Sequence, residues 1–392
     1  MTETPLVAQS APLISLGIFA WNEEKVIRKT LTSLFQQTLF HELRTRGRLV
    51  EVICVVNGCE DRTPEIAADV FQRQSEDHPD RDAFVCRVVR IVERGKLNAW
   101  NRFVHTLSHS QATYLVMMDA DILFQDPRTI AQMLSVLENQ PEAHVAVDRP
   151  VKDLGAKLLP AWRQKLATGA AQITQASPAQ LCAQLYCIRS PVARNIYLPR
   201  DLAACEDGFI KAIVCTDFLT KPLNPGRIQM APQAAHSFEA YTSPQAILKN
   251  QKRQIIGQTV VHILVDQYLT SLPMKRRLQL AQTLQRKENT DPTWLKRLID
   301  EHLRRVKYFW KLYPDLLTLR LRRLRLLQPQ KRLACFPAAL ASTLVALVSS
   351  LLAYRFLKSG STNYWPSARG SGSTRPSPAI ASKPNAAIHN LT

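Results

Sequence analysis

Residues 114–124 read YLVMMDADILF. An apolar run from Tyr114 to Met118 leads straight into Asp119-Ala120-Asp121, and the chain turns apolar again at Ile122. A short run of this composition reads as a strand buried on both faces. It delivers two carboxylates to the rim of an apolar layer, where they are costly unless hydrogen-bonded or paired with a cation. Such a pair suits Mg²⁺ or Mn²⁺, hard ions that take oxygen ligands and bridge to phosphate oxygens. Aspartates in a turn also cap helices, so the spacing alone leaves both readings open.

The same pattern repeats on the N-terminal side. Residues 12–19, PLISLGIF, predict a strand closed by Trp21-Asn22-Glu23-Glu24, and 25–35 then carry a helical period through Val26, Ile27, Leu31 and Leu34. A second strand over 49–56, LVEVICVV, stops at Asn57-Gly58 and precedes a helix over 64–72. A third, VCRVVRIV over 85–92, is followed by a glycine-containing turn and a helix over 97–107. The fourth is ATYLVMMD, 112–119, with a helix from 129 to 138. This alternation predicts an α/β fold with a mostly parallel central sheet covered on both faces. Ligands of such sheets bind beyond the carboxyl ends of the strands. The polar residues gather there: Asn22 and Glu23, then Asn57, Glu60 and Asp61, then Arg94 to Asn98, then Asp119 to Asp121. Neither a G-x-G-x-x-G turn after the first strand nor G-x-x-x-x-G-K-[ST] occurs, which excludes the two commonest nucleotide grips.

The ordered set ISLGIFAWNEEKVIRKTLTSL, VVNGCEDRT, RGKLNAWN, MMDADILF and LAACEDGFI resembles the inverting family 2 glycosyltransferases of the GT-A nucleotide-sugar-binding fold, over roughly residues 12–260. The resemblance implies that Asn22 and Glu23 lie near the uridine and ribose of the donor. It places Asn57 and Asp61 at the base, although the family often has aspartate where this chain has Asn57. Arg94, Lys96 and Asn98 then fall beside the donor, and Asp119 and Asp121 hold Mn²⁺ or Mg²⁺ on the diphosphate. Glu206 and Asp207 match the family's E-D pair, whose aspartate is the general base. A carboxylate that takes the acceptor hydroxyl's proton, with no covalent step, gives inversion at the anomeric carbon. The alternative for Glu206-Asp207 is an acidic helix start. In KNQKRQIIGQ, Arg253 matches the arginine of the family's Q-x-x-R-W motif, with Asn250 and Gln254 in its glutamine and tryptophan positions. That departure favours single-sugar transfer. His236 is a candidate extra metal or diphosphate ligand, or an ordinary structural histidine.

The chain has 392 residues, 46% of them apolar, and a net charge of +19, enough for a large core and too apolar for disorder. Its eight cysteines show no C-x-x-C spacing, so a zinc knuckle and a disulfide-stapled miniature are excluded. Residues 251–332 hold 19 Lys and Arg against 6 Asp and Glu. Within them Leu295, Leu298, Ile299, Val306, Phe309, Trp310 and Tyr313 recur at helical spacing, as on a helix at a lipid headgroup surface, or one packed on its own domain. Residues 333–354 follow without a charge, and as a helix they measure about 33 Å, enough for a single-pass or re-entrant membrane segment. A buried helix is the alternative there.

The expected layout is a flexible 1–11, a catalytic domain over 12–235 and a basic amphipathic membrane-interface region over 236–332. The apolar helix over 333–354 and a mostly disordered tail over 355–392 complete it. No signal peptide is evident at the start, which places the catalytic domain in the cytoplasm at a membrane. The expected partners are a nucleotide-sugar, UDP-sugar first, a lipid or lipid-linked acceptor and an anionic membrane surface. Nucleic acid is not expected, because the charge abuts the apolar segment instead of covering the sheet domain. A nucleotidyl or phosphosugar transferase of the same fold and a non-catalytic membrane scaffold are the competing functions.

Overall fold

The computed structural model describes residues 11–153, 181–203, 205–239 and 243–360. The expectations for 1–10 and for the tail beyond Gly360 lie outside the described residues. Strands β1 (Ile14–Ala20), β2 (Val50–Asn57), β3 (Phe84–Ile91), β4 (Tyr114–Asp119), β5 (Leu123–Phe124), β6 (Val145–Asp153), β7 (Leu185–Arg189) and β8 (Ile228–Glu239) form one sheet. The first helices are α1 (Ile27–Phe35), α2 (Leu39–Thr45), α3 (Thr63–Asp77), α4 (Lys96–Arg102), α5 (Thr129–Asn139) and α6 (Ser190–Arg194). They are followed by α7 (Glu206–Cys215), α8 (Pro244–His262), α9 (Met274–Leu278), α10 (Leu280–Thr290), α11 (Trp294–Arg305), α12 (Leu319–Leu324) and α13 (Pro329–Lys358).

The sheet order is β3-β2-β1-β4-β7-β6-β8-β5. The expected parallel sheet accounts for one half of it: β3, β2, β1 and β4 run parallel, with Ile14 opposite both Val50 and Tyr114. The other half is mixed, because β7 runs antiparallel to β4 and to β6, β5 antiparallel to β8, and only β6 and β8 pair in parallel. β8 continues to Glu239, so the boundary expected at 235/236 falls inside a strand.

The parallel half forms because its strands are apolar on both faces. Ile14, Leu16 and Ile18 of β1 join Val50, Val52 and Cys54 of β2 in one core layer. Phe19, Ile53, Val55, Leu115 and Met117, which point the other way, join the second layer. The chain builds outward from β1 through β2 to β3 and returns to the far side of β1 as β4. That reversal is a topological switch point, and it opens a crevice at the carboxyl ends of β1 and β4, where Phe19 lies opposite Asp119.

The basic C-terminal region packs on the same core. The α11 apolar face is turned inward, with Trp294, Leu295, Ile299 and Leu303 buried in the second layer, so the packed alternative holds for that helix. The helical period continues to Tyr313, but the helix stops at Arg305. The His302 ring contacts the Leu312 carbonyl at 2.9 Å, and the chain folds back so that Leu312 and Leu316 also enter the core. The apolar segment forms part of α13, which starts earlier and ends later than 333–354. It is the one described helix long and apolar enough to cross a membrane, with a third of its most apolar stretch buried.

Candidate active site

The switch-point crevice collects side chains from four elements. Lys96, at the start of α4, is at its centre and only 8% exposed. Its ammonium lies 2.6 Å from an Asp119 oxygen at the end of β4 and 3.2 Å from Glu206 at the start of α7, and it donates to the Ala183 carbonyl at 3.2 Å. Three N–H donors thus meet three acceptors, which is what keeps a buried cation tolerable. Burial alone would lower the Lys96 pKa, but Asp119 and Glu206 outweigh it and hold the ammonium protonated above its usual range.

The two aspartates carry the opposite signature. Burial pushes Asp119 up to about 6 against the pull of Lys96, and the nearby charge of Asp121 adds to the push. Asp207 is likewise raised to about 6, first by burial and then by Glu206, while the Gly208 N–H, Lys96 and Arg253 oppose the rise. That N–H donates to Asp207 Oδ1 at 2.7 Å. Titratable groups tuned toward neutrality in a crevice are the pattern of proton-transfer sites. Arg253 on α8 faces this pair, and its buried Nε has no hydrogen-bond partner. α8 approaches so closely that a β-carbon on Gly257 would lie 2.2 Å from Cys205 Cβ. Cys205 caps α7 immediately before Glu206 and Asp207.

The loops around the crevice use most of their polar groups on one another. Asn57 is buried; it donates to the Ala20 carbonyl at 2.9 Å and accepts from the Gly95 N–H at 3.1 Å. Its amide is spent on tying three strand ends together, so the base contact expected of it does not follow from this geometry. Asp61 accepts from the Glu24 and Thr63 N–H groups and from the Thr63 hydroxyl, and thereby fixes the α1 and α3 approaches. Asn22, in the left-handed region at φ 56°, accepts from the Glu60 N–H at 2.8 Å. The Glu23 N–H donates to the Thr63 hydroxyl at 2.7 Å. Arg94 is exposed and paired with Glu60, while Asn98 donates to the Glu93 carbonyl at 3.1 Å. An open cleft adjoins Lys96 and Glu206, walled by Arg94, Asn98, Tyr197, Arg200 and Glu288 among others.

His236 is fully buried on β8, with its Nδ1 2.7 Å from Asp148 Oδ2 and its Nε2 3.5 Å from Gln184 Oε1. The structure does not bring it into one cluster with Asp119 and Asp121, and no group of three His, Cys, Asp or Glu placed to hold a metal occurs among the described residues. Asp148 thus orients the His236 ring through Nδ1. The two aspartates nevertheless fit a divalent ion of the kind that keeps few protein ligands and completes its shell with phosphate oxygens and water. They supply hard oxygen donors, and their mutual repulsion raises Asp119 in a way that a cation relieves.

Residues 15–179 match the model of the glycosyl transferase family 2. The match runs from β1 through β6 and includes the loops that build the crevice up to Asp121. Comparison with solved structures gives a mannosyltransferase of Pyrobaculum calidifontis in complex with GDP-mannose and Mn²⁺, 18% identical, with a TM-score of 0.48 and 87% of each chain covered. S. aureus TarS residues 1–349 with UDP-GlcNAc is 14% identical over 90% of this chain and 93% of that one, at a TM-score of 0.41. Glucosyl-3-phosphoglycerate synthase of Mycobacterium tuberculosis with Mn²⁺, UDP-glucose and phosphoglyceric acid is 13% identical over 67% and 81%, at 0.38. No curated protein matches the chain.

Sequence reasoning singled out Lys96, Asp119, Glu206 and Asp207, and the structure brings them together with Arg253 nearby. It missed the Lys96–Glu206 pair, the Gly257–Cys205 contact and the Asp148 partner of His236. Only the glycine offered a signal, since a glycine inside a helical stretch often marks close packing.

Proposed function

We propose that this chain is a metal-dependent inverting glycosyltransferase. It moves one sugar from a nucleotide-sugar, a UDP-hexose or UDP-N-acetylhexosamine, to a hydroxyl of a lipid or lipid-linked acceptor. The observation that supports this reading best is the carboxylate set around Lys96, with Asp119 and Asp207 both raised to about 6 at the switch-point crevice. Asp207 is the general base: it accepts the acceptor hydroxyl's proton as that oxygen bonds to the anomeric carbon. The bond from that carbon to the diphosphate oxygen breaks on the opposite face, and this single displacement inverts the centre. Lys96 fixes the distance between Asp119, on the donor side, and Glu206, beside the base. Arg253 offers its guanidinium to the diphosphate. Asp121, with Asp119, would hold Mn²⁺ or Mg²⁺, which when bound offsets charge on the departing nucleoside diphosphate. Asn22, Glu23, Arg94 and Asn98 border the nucleoside, and Asn57 and Asp61 act by shaping the loops that receive it. The lipid acceptor and a membrane location, with the catalytic domain on the cytoplasmic side, are favoured by the basic region that abuts the apolar α13.

The test is transfer by the full chain from labelled UDP- and GDP-sugars to total membrane lipid, with Mn²⁺ or Mg²⁺. The expected product is lipid-borne sugar of inverted anomeric configuration, absent with Asp119→Ala and with Asp207→Ala. A panel in which no donor is consumed overturns the proposal.

A further inference from the structure

Helix α13 reverses the usual arrangement of a surface helix. Its inward stripe is small: Ala338, Ala339, Ala346, Ser349, Ser350 and Ala353 are all buried. Its outward stripe is large and apolar, with Leu333 81%, Phe336 50%, Leu340 51%, Leu344 58% and Val348 51% exposed. At 3.6 residues per turn these five fall on one face, opposite the small residues. We propose that this face lies in the plane of an anionic bilayer surface, sunk into the boundary between headgroups and acyl chains, and that α13 does not cross the membrane.

The packing of α13 is the first argument. It is seated along its length, from Cys335 and Ala339 against Leu324 to Ala353 and Leu357 in the main core, and it runs beside α8, with Lys252 Nζ 4.3 Å from the Phe356 ring centre. A perpendicular span would carry α8 into hydrocarbon, and α8 contains Lys249, Asn250, Gln251, Lys252, Arg253 and Gln254. An in-plane helix keeps α8 on the wet side. The second argument is the turn Phe309–Lys311, which packs against α13 and holds Tyr308 and Trp310 exposed and stacked at 4.9 Å. Amphipathic rings of this type settle at the headgroup level. Charge is the third. Residues 304–332 hold ten Lys and Arg and one Asp, with Lys307, Lys311, Arg325, Lys331 and Arg332 exposed. That balance complements acidic headgroups and would repel a second copy of the same face.

The inference deepens the lipid-acceptor reading, on which it rests for its purpose: it would hold α8, and so Arg253, at headgroup height. Its test does not pass through activity. The full chain is sedimented with vesicles of phosphatidylcholine alone or mixed with phosphatidylglycerol. The expected result is binding to the mixed vesicles, weakened by salt, and reduced roughly tenfold or more in the double variant L340E/L344E. Both leucines are exposed, so the variant's melting temperature and its donor hydrolysis in detergent should match wild type. Binding to neither vesicle, or unchanged binding by the variant, overturns the inference. So does a C-terminal end shielded from protease inside sealed vesicles while the catalytic domain is cut outside, which is the mark of a span. Lipid-free self-association abolished by the variant would instead assign the face to a second copy. Wild-type protein that turns over donor but binds neither vesicle defeats this inference alone, and wild-type protein that binds the mixed vesicles but consumes no donor defeats the proposed function alone.

Discussion

Gly257→Ala is the sharpest mechanical perturbation of the site. The added methyl would stand 2.2 Å from Cys205 Cβ, 2.8 Å from its Sγ and 3.3 Å from its Cα. Carbon atoms rest at about 3.5–4.0 Å, so α8 and the start of α7 must part by roughly 1.3 Å or more. The atoms met are next to the backbone, so no rotation of a flexible side chain relieves the clash. Two effects oppose each other in stability: alanine favours a helix interior over glycine by about 0.5–1 kcal/mol, while overpacking costs about 1–3 kcal/mol. The sum is a small net destabilisation. Catalysis is more sensitive, because Glu206 and Asp207 directly follow Cys205, and a misplacement of about 1 Å costs on the order of 10²-fold in rate. The assay is donor hydrolysis with a UDP-sugar, with kcat and donor KM measured separately and Tm measured alongside. The expected outcome is a kcat lower by about 10- to 100-fold, a donor KM nearly unchanged and a Tm a few degrees lower. The pair G257A/C205G, which removes the struck β-carbon, recovers most of kcat. A single variant with wild-type kcat and a raised Tm would refute the argument.

Other perturbations act on the charges. Lys96→Met leaves Asp119 and Glu206 unpaired beside each other, and its loss should lower Tm by several degrees and shift the acid limb of the rate profile to higher pH, since Lys96 helps to hold the Asp207 pKa down. Asp207 works as a base only when ionised, so kcat/KM should rise with pH through about 6 and level off above it; Glu206→Gln removes a charge that raises Asp207 and should move that limb to lower pH. The same raised pKa has a stability counterpart. The folded-state pKa lies above the unfolded value of about 3.9, so the ionised Asp207 burdens the fold at neutral pH and the burden vanishes as pH falls from 6 toward 4. Asp207→Asn should therefore melt higher than wild type at neutral pH, with the difference shrinking on acidification in paired melting curves. Chelation of divalent ions should abolish donor turnover, with Mn²⁺ or Mg²⁺ restoring it and with Asp121→Asn needing more metal for half-recovery.

The parallel half of the sheet was legible because β1, β2 and β4 are buried on both faces and so read as unbroken apolar runs. The other half was not. β6 contains Asp148, Arg149 and Lys152, and β8 contains Gln229, Gln233 and His236, so neither shows an apolar run, and their pairings join residues far apart in the chain. At the site, Asp119 and Asp121 could be read because an apolar strand ending in carboxylates is a local conflict, and Glu206-Asp207 because they open an apolar helix. Lys96 reads as a donor-side cation, yet its bond to Glu206 depends on where α7 docks, which no local pattern encodes. Asn57 shows the converse, a polar residue at a strand end whose hydrogen bonds prove internal. The amphipathic pattern of α11 was read correctly as a period, but a period does not say whether lipid or protein meets the apolar face; Trp294 and Leu295 meet protein.

The most direct measurement is the release of nucleoside diphosphate and the labelling of lipid from one UDP-sugar panel, with wild type and Asp207→Asn run side by side at neutral pH with Mn²⁺. The account predicts that wild type labels lipid from at least one donor and that the asparagine variant, folded and still able to bind that donor, labels none. Transfer by Asp207→Asn at the wild-type rate would contradict it, because no other carboxylate beside Arg253 and Lys96 is assigned to take the acceptor's proton.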